Sequence, residues 1–332
     1  MCDASETRTV LQVGDVAGVA ASLSRGLREH STWRTCDIDV PQPSGDGKVK
    51  HLADLPSRGL RTRRLVRVAA DGCSPDLIHV HWARFAPFIR KTSTPLVFHA
   101  HGSDVRGRAA SMSGRLVRGA LARADAVLVS TPDLLGDVGA AARYLPNPID
   151  TERFRPTDVA SKGGDTRPTV LLFAQLIEAK GARTLLAAAL QIRQALPDVR
   201  LVAFEGGTYD REAERSGLEL LARQRPDDLA AILGGVDVVI GQQFLGALGL
   251  SELEAMSAGA PVLAFLEPGL YEGEVPVIST AGPEQIASEC LRLLEDRAAA
   301  ASLGERARQF VVEKHAIPVV VDQLVSIYEE LL

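Results

Sequence analysis

Residues 236–265 read VDVVIGQQFLGALGLSELEAMSAGAPVLAF, and the way this stretch divides decides the fold class. An apolar run from Val236 to Ile240 gives way to a glycine-bearing loop, a helical stretch starts near Leu250, and a second apolar run spans Pro261 to Phe265. Strand, loop, helix and strand in that order form the repeating unit of an open α/β sheet. In such sheets ligands bind where loops leave the carboxyl ends of strands, and a helix N-terminus there presents unpaired N–H groups to an anion. Gly246 and Gly249 permit close backbone approach, so Gly246, Leu248, Gly249, Leu250 and Ser251 form a candidate ligand-binding turn. Glu252 and Glu254 follow at the start of the helix. A carboxylate in that place either stabilises the helix end or accepts two hydrogen bonds from a vicinal diol, and the residue pattern fits both.

The same alternation extends in both directions. Thr9 to Val13 reads as a buried strand, followed by the loop Gly14 to Gly18 and a helix to about His30. Gly14 and Gly18 allow a tight turn and close phosphate approach, although their spacing is not the dinucleotide fingerprint. Short apolar runs follow at Cys36–Val40, Leu77–His81, Pro95–Ala100 and Ala126–Ser130, and Pro41 to Lys48 forms a Pro/Gly/Asp-rich loop. A polar linker is expected over residues 157–167. Beyond it the series resumes with strands at Thr169–Ala174, Val199–Phe204, Val236–Ile240, Pro261–Phe265 and Val275–Ser279, and a helix near Gly181–Ala195. Helical segments close the chain at about Pro283–Glu295, Ala299–Lys314 and Pro318–Leu332. Strands alternating with helical patterns predict parallel, doubly wound sheets, and 332 residues are enough for two such domains.

Composition narrows the class. Hydrophobic residues make up 46% and charged residues 24%, as in an ordinary globular protein, and no apolar run reaches the roughly 18 residues that span a bilayer. The N-terminal MCDASETRTV has neither the basic start nor the apolar core of a signal peptide, so a cytoplasmic location is expected. Cys2, Cys36, Cys73 and Cys290 are scattered without metal-type spacing. Up to Pro156 the chain carries 22 Lys and Arg against 16 Asp and Glu; beyond it, 15 against 26. Arg58, Arg61, Arg63, Arg64 and Arg67 cluster in the basic half, either as a solvated helix face or as an attraction for an acidic acceptor or surface. Nucleic acid is not expected as a partner, because the basic residues lack aromatic interleaving and no helix-turn-helix or zinc pattern accompanies them.

The histidines form pairs. His79 and His81 share one face of a strand, as do His99 and His101, and Asp104 lies close by in sequence. Such pairs serve either as metal ligands or as satisfied sheet histidines, and no metal site is expected from them.

Four segments carry a family resemblance. GALGLSELEAMSAGAPV, residues 246–262, resembles the donor-binding signature of retaining family 4 glycosyltransferases of the GT-B fold, which take sugar from a nucleotide-diphosphate donor. FAQLIEAKG at 173–181, HAHGSD at 99–104 and RYLPNPIDTERFRP at 143–156 match further segments of that family in order. The resemblance implies two Rossmann-like doubly wound domains facing a cleft. These would be an acceptor-side domain over 1–156 and a donor-side domain over 168–317, with residues 318–332 packing back on the first.

The resemblance also assigns roles. Glu254 matches the second glutamate of the family's acidic pair, Lys180 the lysine that clamps the donor diphosphate, and His101 a histidine facing the donor sugar. Asp104 follows that histidine in the same segment. Gly246 stands where the family has its first glutamate, which holds a hydroxyl of the donor sugar, and Gln175 where it has an arginine. The absence of the glutamate implies a pocket open to an altered or bulkier sugar. The implied reaction is metal-independent transfer with retention from a UDP, GDP or similar donor to a small-molecule acceptor, with natural products among the candidates. The nucleotide sugar is a substrate, and no cofactor is implied. A membrane-linked glycan acceptor and a catalytically silent sugar-nucleotide-binding subunit are the alternatives, with peripheral membrane contact not favoured.

Overall fold

The computed structural model describes residues 7–40, 55–107, 111–139, 141–157 and 167–332. The loop Pro41–Lys48 and all but the ends of the expected linker lie outside the described residues. The chain forms two compact units, Met1–Pro148 with Ile317–Leu332, and Ile149–Ala316.

In the first unit the strands are β1 (Thr9–Val13), β2 (Arg34–Ile38), β3 (Leu77–His81), β4 (Leu96–Ala100), β5 (Ala126–Val129) and β6 (Ala142–Tyr144). They pair in parallel in the order β2-β1-β3-β4-β5-β6. β3 and β4 are buried along their whole length, which is why they read as unbroken apolar runs interrupted only by histidine. The second strand begins and ends two residues earlier than Cys36–Val40, and the Gly14 amide bonds the Ile38 carbonyl at its end. Helices α1 (Val19–His30), α2 (Leu55–Cys73), α3 (Met112–Leu121) and the short α4 (Leu135–Val138) belong to this unit.

The second unit repeats the plan. After β7 (Thr169–Leu172) come α5 (Ala182–Ala195), β8 (Arg200–Phe204), α6 (Asp210–Arg215), β9 (Glu219–Leu221), α7 (Pro226–Gly235) and β10 (Val238–Ile240). Then follow α8 (Leu250–Ser257), β11 (Val262–Ala264), β12 (Ile278–Ser279), α9 (Pro283–Glu295) and α10 (Arg297–His315). The parallel sheet runs β12-β11-β10-β7-β8-β9. The segment 149–157 belongs to this unit and not to the first. Phe154 sits in its core, and the Phe154 carbonyl accepts from Ser257 Oγ at 2.6 Å and from Arg308 Nη1 at 3.1 Å.

The last helix, α11 (Ile317–Glu329), returns to the first unit and packs on α1. Gly26 makes the approach possible, because a Cβ there would lie 2.7 Å from Val321 Cγ2. Tyr328 is fully buried, with its ring 5.0 Å from that of Trp33. No helix among the described residues is long and apolar enough to cross a membrane.

Candidate functional site

At the carboxyl end of β10 the chain enters the turn 241–249. Gly241 has no room for a side chain, since a Cβ there would meet Glu252 Oε1 at 2.5 Å. The buried Glu252 carboxylate fills that space and closes the turn. One oxygen accepts from the Gln242 amide at 2.9 Å and the other from the Gly249 amide at 2.9 Å, which satisfies a donor at the start of α8. The Gln242 side chain holds the middle of the turn. Its Oε1 accepts from the Phe244 and Leu245 amides at 2.9 and 2.6 Å, and its Nε2 donates to the carbonyls of Ala247 and Phe265 at 3.1 and 2.9 Å. Every hydrogen-bonding site of that amide is therefore used within the protein.

Two residues beyond Glu252 the situation reverses. Glu254 is half-buried and its carboxylate has no hydrogen-bond partner among the described residues. Burial, with the neighbouring Glu252 second, pushes its carboxyl up to about 7. Leu248 is buried and its amide donates to the Tyr271 hydroxyl at 2.8 Å, while Leu250 and Ser251 are half-buried on the first turn of α8.

The adjacent strand β7 delivers the other half of the site. Its loop ends in a single 3-10 turn, Glu178–Lys180, and Gly181 (φ +82°) then enters α5 with no side-chain cap. The Lys180 carbonyl accepts from the Gln243 amide at 3.1 Å, and a Cβ on Gly181 would lie 2.8 Å from the Gln243 Cβ. The half-buried Lys180 and the N-terminus of α5 are therefore fixed against the 241–249 turn. Gln175 is exposed, with its Nε2 donating to the Gly206 carbonyl at 2.7 Å. One N–H of that amide remains for a ligand. Among the expected residues, Gln175, Lys180, Gly246, Leu248, Gly249, Leu250, Ser251 and Glu254 thus share one sheet end of the second unit.

Gly14, Gly18, His101 and Asp104 belong to the first unit. Gly14 (φ +75°) and Gly18 (φ +81°) hold the turn before α1, and Asp15 Oδ1 accepts from the Ala20 amide at 2.9 Å. Asp104 is buried, with its oxygens accepting from the Ala83 amide at 2.6 Å and the His101 amide at 3.1 Å. These bonds give it a scaffolding role in holding the turn at His101. Burial raises its carboxyl despite these bonds.

The four histidines form one stack. His79 and His81 lie 4.3 Å apart between ring centres, and His99 and His101 lie 4.2 Å apart. Gln12 Oε1 accepts a hydrogen bond from His81 Nε2 at 2.8 Å, so with the amide in this orientation His81 Nδ1 carries a lone pair. His101 Nε2, at 3.2 Å, then donates to it, leaving His101 Nδ1 as an acceptor toward any ligand. The donor role expected of His101 toward a sugar is in that tautomer taken up by His81. Burial pushes His79 down to about 3 and holds His81 and His99 well below the usual histidine range. Ring nitrogens of His79, His81 and His99 lie within 4.8 Å of one another. The near-parallel planes of His79 with His81 (29°) and His99 (15°) keep their in-plane lone pairs from converging on one point, as a tetrahedral ion requires.

Gln242 and Tyr271 shape the site without any motif to announce them, whereas Glu252 takes the helix-stabilising role that the sequence offered for a carboxylate at the start of α8. A QQ pair after an apolar run carries no pattern, and its roles arise from contacts with residues 244–265.

Known protein families match both units of the chain. The family profile described as "Glycosyltransferase Family 4" matches residues 19–153, and that described as "Glycosyl transferases group 1" matches residues 167–296. A GDP-mannose-dependent phosphatidylinositol monomannoside mannosyltransferase of Corynebacterium glutamicum is 24% identical over 56% of this chain and 55% of its own length. The chain thus spans about half of that relative. The 2-deoxystreptamine glucosyltransferase of Streptomyces kanamyceticus is 24% identical over 95% of this chain and 83% of its own. Among solved structures, sucrose-phosphate synthase from Thermosynechococcus elongatus superposes with a TM-score of 0.78 at 17% identity, over 98% of this chain and 99% of its own. With both sheets doubly wound and a profile matching each unit, this chain belongs to the family 4 glycosyltransferases of the GT-B fold.

Proposed function

We propose that the protein transfers a sugar, with retention, from a nucleotide-diphosphate donor to a small polar acceptor, without a metal ion. The observation that carries this reading is the contrast between Glu252 and Glu254. The first has both oxygens engaged in closing the turn, and the second keeps a half-buried carboxylate with no donor to it among the described residues. A ribose diol supplies two donors to such a carboxylate and relieves the burial that pushes its proton affinity up. Lys180 and the uncapped N-terminus of α5 stand at the same sheet end, where a diphosphate gains negative charge as the glycosidic bond breaks. Charge stabilisation by these groups takes the place of a metal ion. In a front-face displacement the leaving phosphate oxygen accepts the acceptor's proton, so no protein base is assigned. The natural-product glucosyltransferase that aligns along nearly the whole chain supports a soluble acceptor.

The test is incubation with a panel of UDP and GDP sugars, following release of the nucleoside diphosphate with and without chelator. Chelator-resistant turnover is expected. No turnover with any donor, alongside intact nucleotide binding, would favour a silent binding subunit.

A second reading, transfer to a membrane lipid, is supported by the mannosyltransferase relative and by one surface feature. Leu60 and Val68 of α2 are exposed among Arg61, Arg64 and Arg67, and Met112 and Leu116 of α3 are exposed beside Arg115. Sedimentation with anionic vesicles that fades with salt would favour it.

A further inference from the structure

Gly246 adopts φ +73°, and its carbonyl accepts from the Glu267 amide at 2.9 Å. This bond ties the 241–249 turn to the loop that follows β11. A Cβ placed on Gly246 would lie 3.2 Å from the Glu267 Cβ and 3.5 Å from Glu267 Oε2. The space that a side chain at 246 would enter is therefore occupied by the carboxylate of a residue 21 positions later. That carboxylate is exposed and has no hydrogen-bond or ion-pair partner among the described residues.

The backbone around Glu267 is tied by further bonds. The Leu266 amide donates to Ser279 Oγ at 3.2 Å, and the Phe265 carbonyl accepts from Gln242 Nε2. Pro268 follows directly and disfavours helical backbone at Glu267. The backbone of Glu267 is thus held at the mouth of the turn that leads into α8, the helix bearing Glu254. A carboxylate without a partner among the described residues, beside a binding turn, is suited to accept hydrogen bonds from hydroxyl or ammonium groups of a sugar.

We infer that Glu267 is the donor-sugar carboxylate of this site, and that Gly246 lacks a side chain because Glu267 approaches there. The inference rests on the reading of the second unit as a donor site. It also changes what the glycine at 246 implies: the pocket keeps an acidic group there, delivered from the next loop. Specificity is then set by Glu267 and its loop.

Calorimetry separates the two ideas. UDP, GDP, UDP-glucose and GDP-mannose are titrated into the wild type, Glu267→Ala and Glu267→Asp, with thermal melts to show that the exposed substitutions leave the fold intact. Glu267→Ala is expected to bind the preferred nucleoside diphosphate as the wild type does and its sugar conjugate roughly tenfold more weakly, with Glu267→Asp between them. If the wild type and Glu267→Ala hold the nucleotide sugar equally while both bind the free nucleotide, the role of Glu267 is wrong and the donor site stands. If the wild type binds none of the four, the donor-site reading fails and Glu267 falls with it.

Discussion

The Tyr328 hydroxyl and His79 Nδ1 share a hydrogen bond of 2.7 Å across 249 residues of sequence, joining the last helix of the chain to the centre of the first sheet. Gln12 Nε2 also reaches the Tyr328 hydroxyl, at 3.4 Å. Tyr328→Phe keeps the ring against Trp33 and leaves buried polar groups on His79 and Gln12 without that partner. The expected cost is about 1–3 kcal/mol, read as a lower urea midpoint with unchanged slope. An unchanged midpoint would mean that packing alone docks α11.

The histidine stack makes the fold acid-sensitive in a defined window. In the unfolded chain each histidine protonates near 6.5, whereas burial holds His79 down to about 3 and keeps His81 and His99 well below the usual range. Between those values the unfolded state binds more protons, so stability is fully present above pH 6.5 and declines as pH falls toward about 3. Each histidine contributes a slope of about 1.4 kcal/mol per pH unit. Neither ring nitrogen of His99 has a hydrogen-bond partner among the described residues, so His99→Leu is expected to fold and to show a shallower decline between pH 6.5 and 5. Urea titrations at stepped pH check this, and identical slopes in the two proteins would contradict it.

Much of this architecture was legible from residue order. β1 and β3 fall on the predicted residues, because a strand buried on both faces is predominantly apolar, with Gln12, His79 and His81 as the buried polar exceptions. β6 (ARY) and β9 (ELL) gave no apolar run, since each is a three-residue edge strand that stays partly exposed. α7 was overlooked although Pro226, Asp227 and Asp228 form a recognisable helix start. In the site, Lys180 and Glu254 could be assigned through a motif. Gln242 and Glu267 could not, because their positions depend on how two loops meet in space. Asp104 could be named from the HAHGSD segment, but its scaffolding role could not, because its partner Ala83 lies 21 residues earlier.

Glu254 and Glu252 should respond differently to the loss of charge. Glu254→Gln removes a ribose acceptor and is expected to weaken nucleoside-diphosphate binding roughly tenfold with the fold intact, whereas Glu252→Gln leaves a turn amide poorly satisfied and lowers the melting temperature. With its carboxyl at about 7, Glu254 gains a proton as pH falls from 8 to 6, so wild-type affinity should drop over that range. Protonation of the nucleotide itself affects both proteins, so the difference between wild type and Glu254→Gln isolates the residue. Parallel pH profiles would remove Glu254 from the binding site.

Lys180 should matter more in the transition state than in the ground state. Its backbone is tied to the 241–249 turn through the Gln243 amide, so the ammonium extends from a fixed base at the N-terminus of α5. The charge it meets on the leaving diphosphate grows as the glycosidic bond breaks, and an interaction that strengthens along the reaction lowers the barrier instead of deepening the bound state. Lys180→Ala is therefore expected to reduce kcat by a larger factor than it raises KM, while calorimetric affinity for the nucleotide sugar changes modestly. The Lys180 side chain makes no hydrogen bond within the described residues, so this variant should melt with the wild type. A rise in KM at constant kcat would make Lys180 an anchor for the donor and shift the burden of charge stabilisation to the helix amides of α5.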